Sequence, residues 1–132
     1  MHSDHSEDLS ELDQLGTSIL DAAFKVHRIV GPGLLEAAYE AFLAHELEAR
    51  GHKIDRQLAL PAYFEGAKVE VSYRVDLMVD DRIVVEVKAV DQLMAVHEAQ
   101  LLTYLRISSR RLGYLINFNV PLLKQGIRRK IL

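Results

Sequence analysis

Asp76, Glu86 and Lys88 fall within Arg74-Val-Asp-Leu-Met-Val-Asp-Asp-Arg-Ile-Val-Val-Glu-Val-Lys88, two Val-, Leu- and Ile-rich runs on either side of a polar turn. Carboxylates and an ammonium set into apolar strand sequence cost free energy if they are buried without partners, so each must pair with another charge or with an ion. Two chemistries suit these residue types. Two carboxylates can clamp a divalent cation, with the lysine beside it to hold a water against a phosphate. Alternatively, Asp76 or Glu86 pairs with Lys88 or Arg74 in ordinary salt bridges on a solvent face. The spacing of the three residues leaves both open.

The apolar alternation around them says more. In a strand, residues of one parity share a face, so Val75, Leu77 and Val79 are expected opposite to Arg74, Asp76 and Met78. Likewise Ile83, Val85 and Val87 oppose Val84, Glu86 and Lys88. For both apolar sets to reach one core, cross-strand partners must have numbers that sum to an even value, which requires an odd loop or a bulge at the turn. A three-residue loop Asp80-Asp81-Arg82 satisfies this. It sets Asp76 opposite Glu86, where two carboxylates repel unless a proton or a cation lies between them. With oxygen ligands, Mg²⁺ or Mn²⁺ is the expected occupant.

The rest of the chain supplies the frame. Leu15, Ile19, Ala22, Ala23, Val26 and Ile29 or Val30 recur at helical spacing behind Ser10 and Asp13, which resemble a capping box, and predict an amphipathic first helix. Gly31-Pro32-Gly33 breaks it, and a second helix is expected from about Leu34 to Arg50, closed by Gly51. Strands are expected at 58–64, 69–79 and 82–90, then a helix from about Gln92 to Ser108, a strand at Leu112 to Asn117, and a short basic edge strand after a turn at Lys124 to Gly126. Helix followed by strand implies a crossover. Three antiparallel strands followed by such a crossover make the expected class α/β.

Composition narrows the partners. The 132 residues fit one domain, expected over 9–132 behind a flexible acidic start at 1–8. There is no cysteine, which excludes disulfides, thiolate metal sites and thiol catalysis. No apolar run approaches a membrane span and the acidic start is unlike a signal peptide, so a cytoplasmic protein without membrane attachment is expected. The net charge of -3 is unevenly spread: five of the 19 acids precede residue 14, leaving 14 acids against 16 Lys and Arg. After Glu98 no acid occurs, whereas Arg106, Arg110, Arg111, Lys124, Arg128, Arg129 and Lys130 follow. Such one-sign surface suits a polyanion, or else a solvated face balancing the acidic start.

At this point the residues match a known pattern. Asp76 followed by Glu86-Val87-Lys88 resembles the Asp…(Asp/Glu)-X-Lys signature of the PD-(D/E)XK nuclease superfamily, with Val75 where the superfamily name has Pro. Gly33-Leu-Leu-Glu36-Ala-Ala-Tyr39 reads as Gly-x-x-Glu-x-x-Tyr and Gln100-Leu-Leu-Thr-Tyr104 as Gln-x-x-x-Tyr, so the chain from about Leu12 to its C-terminus resembles the GxxExxY branch. The resemblance implies a restriction-endonuclease-like α/β core, a mixed sheet with an antiparallel hairpin flanked by helices, with its active site along the hairpin. It implies that Asp76, Glu86 and the carbonyl of Val87 hold Mg²⁺ or Mn²⁺, that Glu36 completes the metal set, and that Lys88 assists the attacking water. Gln100 and Tyr104, four apart on one helical face, would reach a phosphate or orient Lys88. Arg110, Arg111, Arg128 and Arg129 are the expected backbone contacts to nucleic acid, DNA ahead of RNA. Tyr39, His27 and His97 are expected to pack rather than to ligate. A body this small grips a duplex poorly unless it forms a homodimer, and the alternative function is a catalytically silent module that binds nucleic acid or a protein partner.

Overall fold

The computed structural model describes residues 9–132, so the acidic start expected at 1–8 lies outside the described residues. Helix α1 (Leu9–Val30) and helix α2 (Glu36–Ala49) precede a three-stranded meander, β1 (Ile54–Phe64), β2 (Ala67–Val79) and β3 (Ile83–Lys88). Helix α3 (Ala95–Ser108), β4 (Leu112–Asn117), a single 3-10 turn (Leu123–Gly126) and β5 (Ile127–Ile131) complete the chain. The five strands lie in sequence order, β1-β2-β3-β4-β5. All neighbours are antiparallel except β3 and β4, whose parallel pairing uses α3 as its crossover. No helix among the described residues is long and apolar enough to cross a membrane.

The central strands β3 and β4 are buried on both faces. On one, Leu77, Val79, Ile83, Val85, Val87, Leu112, Tyr114 and Ile116 pack against α1 and α2 through Ile19, Ala23, Leu43 and Leu47. On the other, Val75, Met78, Val84 and Leu115 pack against Leu101, Tyr104 and Leu105 of α3. Gly113 lets α3 lie this close, since a β-carbon there would sit 2.9 Å from a Leu101 methyl and 3.1 Å from the Val84 carbonyl oxygen. Burial on both faces is the condition under which a charged side chain in β3 cannot simply turn to solvent.

The hairpin turn follows the parity argument. Asp80 and Asp81 both adopt left-handed backbone, φ 53° and 56°, which Asp tolerates better than most residues. The Arg82 N–H donates to the Val79 carbonyl at 2.9 Å, yet the ladder resumes as Val79 with Ile83. Arg82 is thus the extra residue that makes the loop odd. The turn is tied down by His52, whose Nδ1 meets Asp80 Oδ2 at 2.8 Å while its Nε2 meets Ser18 Oγ of α1 at 2.8 Å.

One expectation is corrected. Val75 does not share the face of Leu77 and Val79; it packs with the α3 cluster, because the alternation breaks between them. Arg56 pairs with Leu77 and Leu58 with Val75, but Gln57 and Asp76 between those pairs are unpaired, and Gln57 has φ 51°. The left-handed Gln57 kinks the pleat of β1 at the level where, on β2, the alternation breaks at Asp76.

The Gly-Pro-Gly segment is held by Tyr39. Its hydroxyl donates to the Gly31 carbonyl at 2.6 Å and accepts from the Leu34 N–H at 3.1 Å, while its ring stacks on Phe118 at 4.7 Å. Tyr39 is fully buried, so its place in the Gly-x-x-Glu-x-x-Tyr motif is to fix the entry of α2 and hence Glu36 three residues earlier. Tyr39→Phe strands two main-chain groups and should lower unfolding stability by about 1–2 kcal/mol in urea melts, with the ring stack retained.

Candidate active site

Strands β2 and β3 are laddered only as far as Leu77 with Val85. One step further, where Asp76 faces Glu86, side chains replace the main-chain bonds. The Asp76 N–H donates to Glu86 Oε2 at 2.8 Å and the Val87 N–H donates to Asp76 Oδ2 at 2.8 Å. Each carboxylate thus reaches across the parting strands to the other strand's backbone. The two carboxylates face each other through this crossed arrangement, each with one oxygen accepting from a main-chain N–H of the opposite strand.

Glu86 is only 3% exposed, which removes it from the solvent face that a plain salt bridge would need. Burial, and next the charge of Asp76, push its carboxyl up to about 8; the Asp76 N–H and Lys88 pull the other way, and Glu36 adds a smaller upward push. The pair therefore repels itself and holds a proton at neutral pH unless a cation replaces it. Asp76 is half-buried and Lys88 half-buried at the end of β3.

Helix α3 covers the pair from one side. Burial and then the charges of Glu86 and Asp76 raise the Tyr104 hydroxyl above its usual range, while a hydrogen bond with Gln100 opposes the shift. Gln100 and Tyr104 thus lie together near the carboxylates, and Tyr73 meets the Tyr104 ring edge-on at 6.2 Å. Helix α2 approaches from the other side, with Glu36 in its exposed first turn close enough to act on Glu86. Asn117 fixes the loop beyond Lys88, its amide bonding both the N–H and the carbonyl of Val90 at 3.0 and 2.9 Å.

These donors fit a hard cation. Among the described residues no three acidic or histidine side chains gather closely enough to ligate one ion, so Glu36 stands beside the pair rather than in it. Two carboxylates and a main-chain carbonyl are nevertheless what Mg²⁺, which keeps several waters, commonly takes from a protein. Over residues 13–130 the sequence matches the PD-(D/E)XK nuclease superfamily. The chain belongs to that superfamily. No curated protein and no solved structure matches it.

PD-(D/E)XK membership points to nucleic acid as the substrate and to phosphodiester hydrolysis as the reaction class. The four arginines expected to grip that substrate are not brought together. Arg110 pairs with Asp81 at 2.8 Å at the hairpin turn, the end of the sheet away from Lys88, and Arg111 precedes β4 at that same end. Arg128 and Arg129 are adjacent in β5 and so point to opposite faces; Arg128 lies near Glu98 at 3.8 Å, and Arg129 bonds Asp13 at 2.7 Å.

Two polar residues that the sequence reading passed over stand next to the site. Glu40 is 7% exposed, and its oxygens accept from Gln57 Nε2 at 2.7 Å and from Arg56 at 3.2 Å. Gln57 Nε2 also donates to Asp76 Oδ1 at 3.1 Å. The available signal was the four-residue step from Glu36 to Glu40, which puts both on one helical face.

The raised Glu86 carboxyl has a signed consequence. In the unfolded chain it titrates near 4.5, so between there and about 8 the folded protein keeps a proton that the unfolded chain has released. Stability from this group is full below that window and is lost as pH rises through it. With a chelator present, the urea midpoint should fall between about pH 5 and pH 8, and Glu86→Gln should flatten the fall.

Proposed function

We propose that the chain is a divalent-metal-dependent nuclease of the GxxExxY branch that hydrolyses phosphodiester bonds, in DNA first and RNA second. The observation that carries this reading is the crossed pair Asp76 and Glu86, whose buried member is pushed to about 8 and asks for a cation. The branch assignment is supported by Tyr39 and Glu36 set at the entry of α2, and by Gln100 with Tyr104 beside the carboxylates.

In this reading Asp76, Glu86 and the Val87 carbonyl would hold Mg²⁺ or Mn²⁺, with Glu36, in the exposed first turn of α2, as the further carboxylate that would complete the set. The bound ion would supply Lewis-acid charge at the phosphate and acidify a water. Lys88 lies two residues beyond Glu86 in β3, where its ammonium positions the nucleophile and offsets charge developing on the phosphate. Gln100 and Tyr104 donate to the phosphate, and the apolar packing of α3 behind Tyr104 excludes bulk water from one side. A homodimer supplies the grip that a 15.0 kDa body lacks alone.

The test is cleavage of plasmid, single-stranded DNA and single-stranded RNA with Mg²⁺ or Mn²⁺. Wild type should cut, Asp76→Ala and Glu86→Gln should abolish cutting, and Lys88→Ala should slow it by about 100-fold or more. Binding of nucleic acid without cutting by wild type would replace this reading with the silent module.

A further inference from the structure

Gln57 stands out by three independent features. It has left-handed backbone, φ 51°, inside β1 at a place where no turn requires it. It is left out of the β1-β2 ladder together with Asp76, the residue opposite. Its single amide nitrogen donates to two carboxylates from different elements, Glu40 of α2 at 2.7 Å and Asp76 of β2 at 3.1 Å.

A non-glycine residue held in that conformation is strained, and the strain persists only where surrounding contacts over-determine it. Here the contacts are the two carboxylates. An amide –NH₂ carries two N–H donors and no charge, so it can bridge two acids without needing a proton between them. Glu40 in turn is fixed by Arg56 and by its burial against the sheet. The chain of contacts runs from Arg56 through Glu40 and Gln57 to Asp76 Oδ1, leaving Asp76 Oδ2 on the Val87 N–H.

We propose that Gln57, backed by Glu40, is a positioning residue that sets the Asp76 carboxylate for its cation. Asp76 is then held from both sides, by the amide on one oxygen and by the β3 backbone on the other. Partners that orient a ligating carboxylate commonly govern metal affinity by about 10- to 100-fold without touching the ion. The inference rests on the reading of Asp76 as a ligand, but its structural half does not.

The decisive variant is Gln57→Gly. Glycine accepts a positive φ freely, so it removes the strain along with the amide and keeps the kink. Expected in the metal-free protein is a melting temperature within a few degrees of wild type, with hydrogen-exchange protection of the Val87 amide reduced about 10-fold while Val85 and Ile116 keep theirs. Glu40→Ala should reduce Val87 protection in the same direction. Mn²⁺ affinity, measured by calorimetry on the intact chain, should fall about 10-fold in Gln57→Gly. Unchanged Val87 protection in Gln57→Gly would overturn the proposal. Reduced protection in a chain whose wild type binds no Mn²⁺ would uphold the positioning of Asp76 and overturn its purpose, along with the metal-site reading.

Discussion

Everything specific about this site depends on two crossed hydrogen bonds. Where the β2-β3 ladder stops, Asp76 and Glu86 each accept from a backbone N–H of the opposite strand, so the carboxylates do the work that carbonyl oxygens do elsewhere in the sheet. A buried N–H left unpaired costs about as much as a lost hydrogen bond, so the strands can part here only because the side chains make up the bonds. The same exchange holds two acids at close range in a place with little water. Stability of the hairpin and charge repulsion in the site thus come from one arrangement.

The helices serve that arrangement from opposite layers. α3 lies close over Gly113 and brings Tyr104 near enough to the carboxylates to feel their charge. α2 is oriented by the Tyr39 hydroxyl and the stack on Phe118, and presents Glu36 and Glu40 from the other side. The sheet opens between β2 and β3 at the level where both layers can reach the gap. Membership of a nuclease superfamily gives this convergence a use; in the function proposed above, a phosphate entering the gap would meet an ion, an ammonium, an amide and a phenol.

Much of this was legible in the sequence, for identifiable reasons. The odd loop followed from parity alone: two apolar faces had to meet one core, and Arg82 is the residue that makes the count odd. Boundaries shifted where local conformation overrode pattern, as when Leu35 stays extended and α2 starts at Glu36. Val75 was misplaced because a period of two assumes an unbroken pleat, and nothing local in the sequence announces the break at Asp76 or the left-handed Gln57 that faces it on β1. Glu40 and Gln57 lay outside the motif letters, and only the fold shows that one amide joins them to Asp76. The arginines are a different case. Adjacent residues in a strand face opposite ways, so Arg128 and Arg129 could have been separated in advance, whereas their acidic neighbours Glu98 and Asp13 are distant in sequence.

If Asp76 and Glu86 hold the ion as proposed, the pair keeps a proton only until a divalent ion takes its place. Mg²⁺ titrations by calorimetry at several pH values, each in two buffers of different ionisation enthalpy, count the protons released per ion. Close to one proton should be released at about pH 7, falling towards zero above about pH 9, with affinity rising over the same range. Binding without proton release at neutral pH, or no binding at any pH, would contradict it.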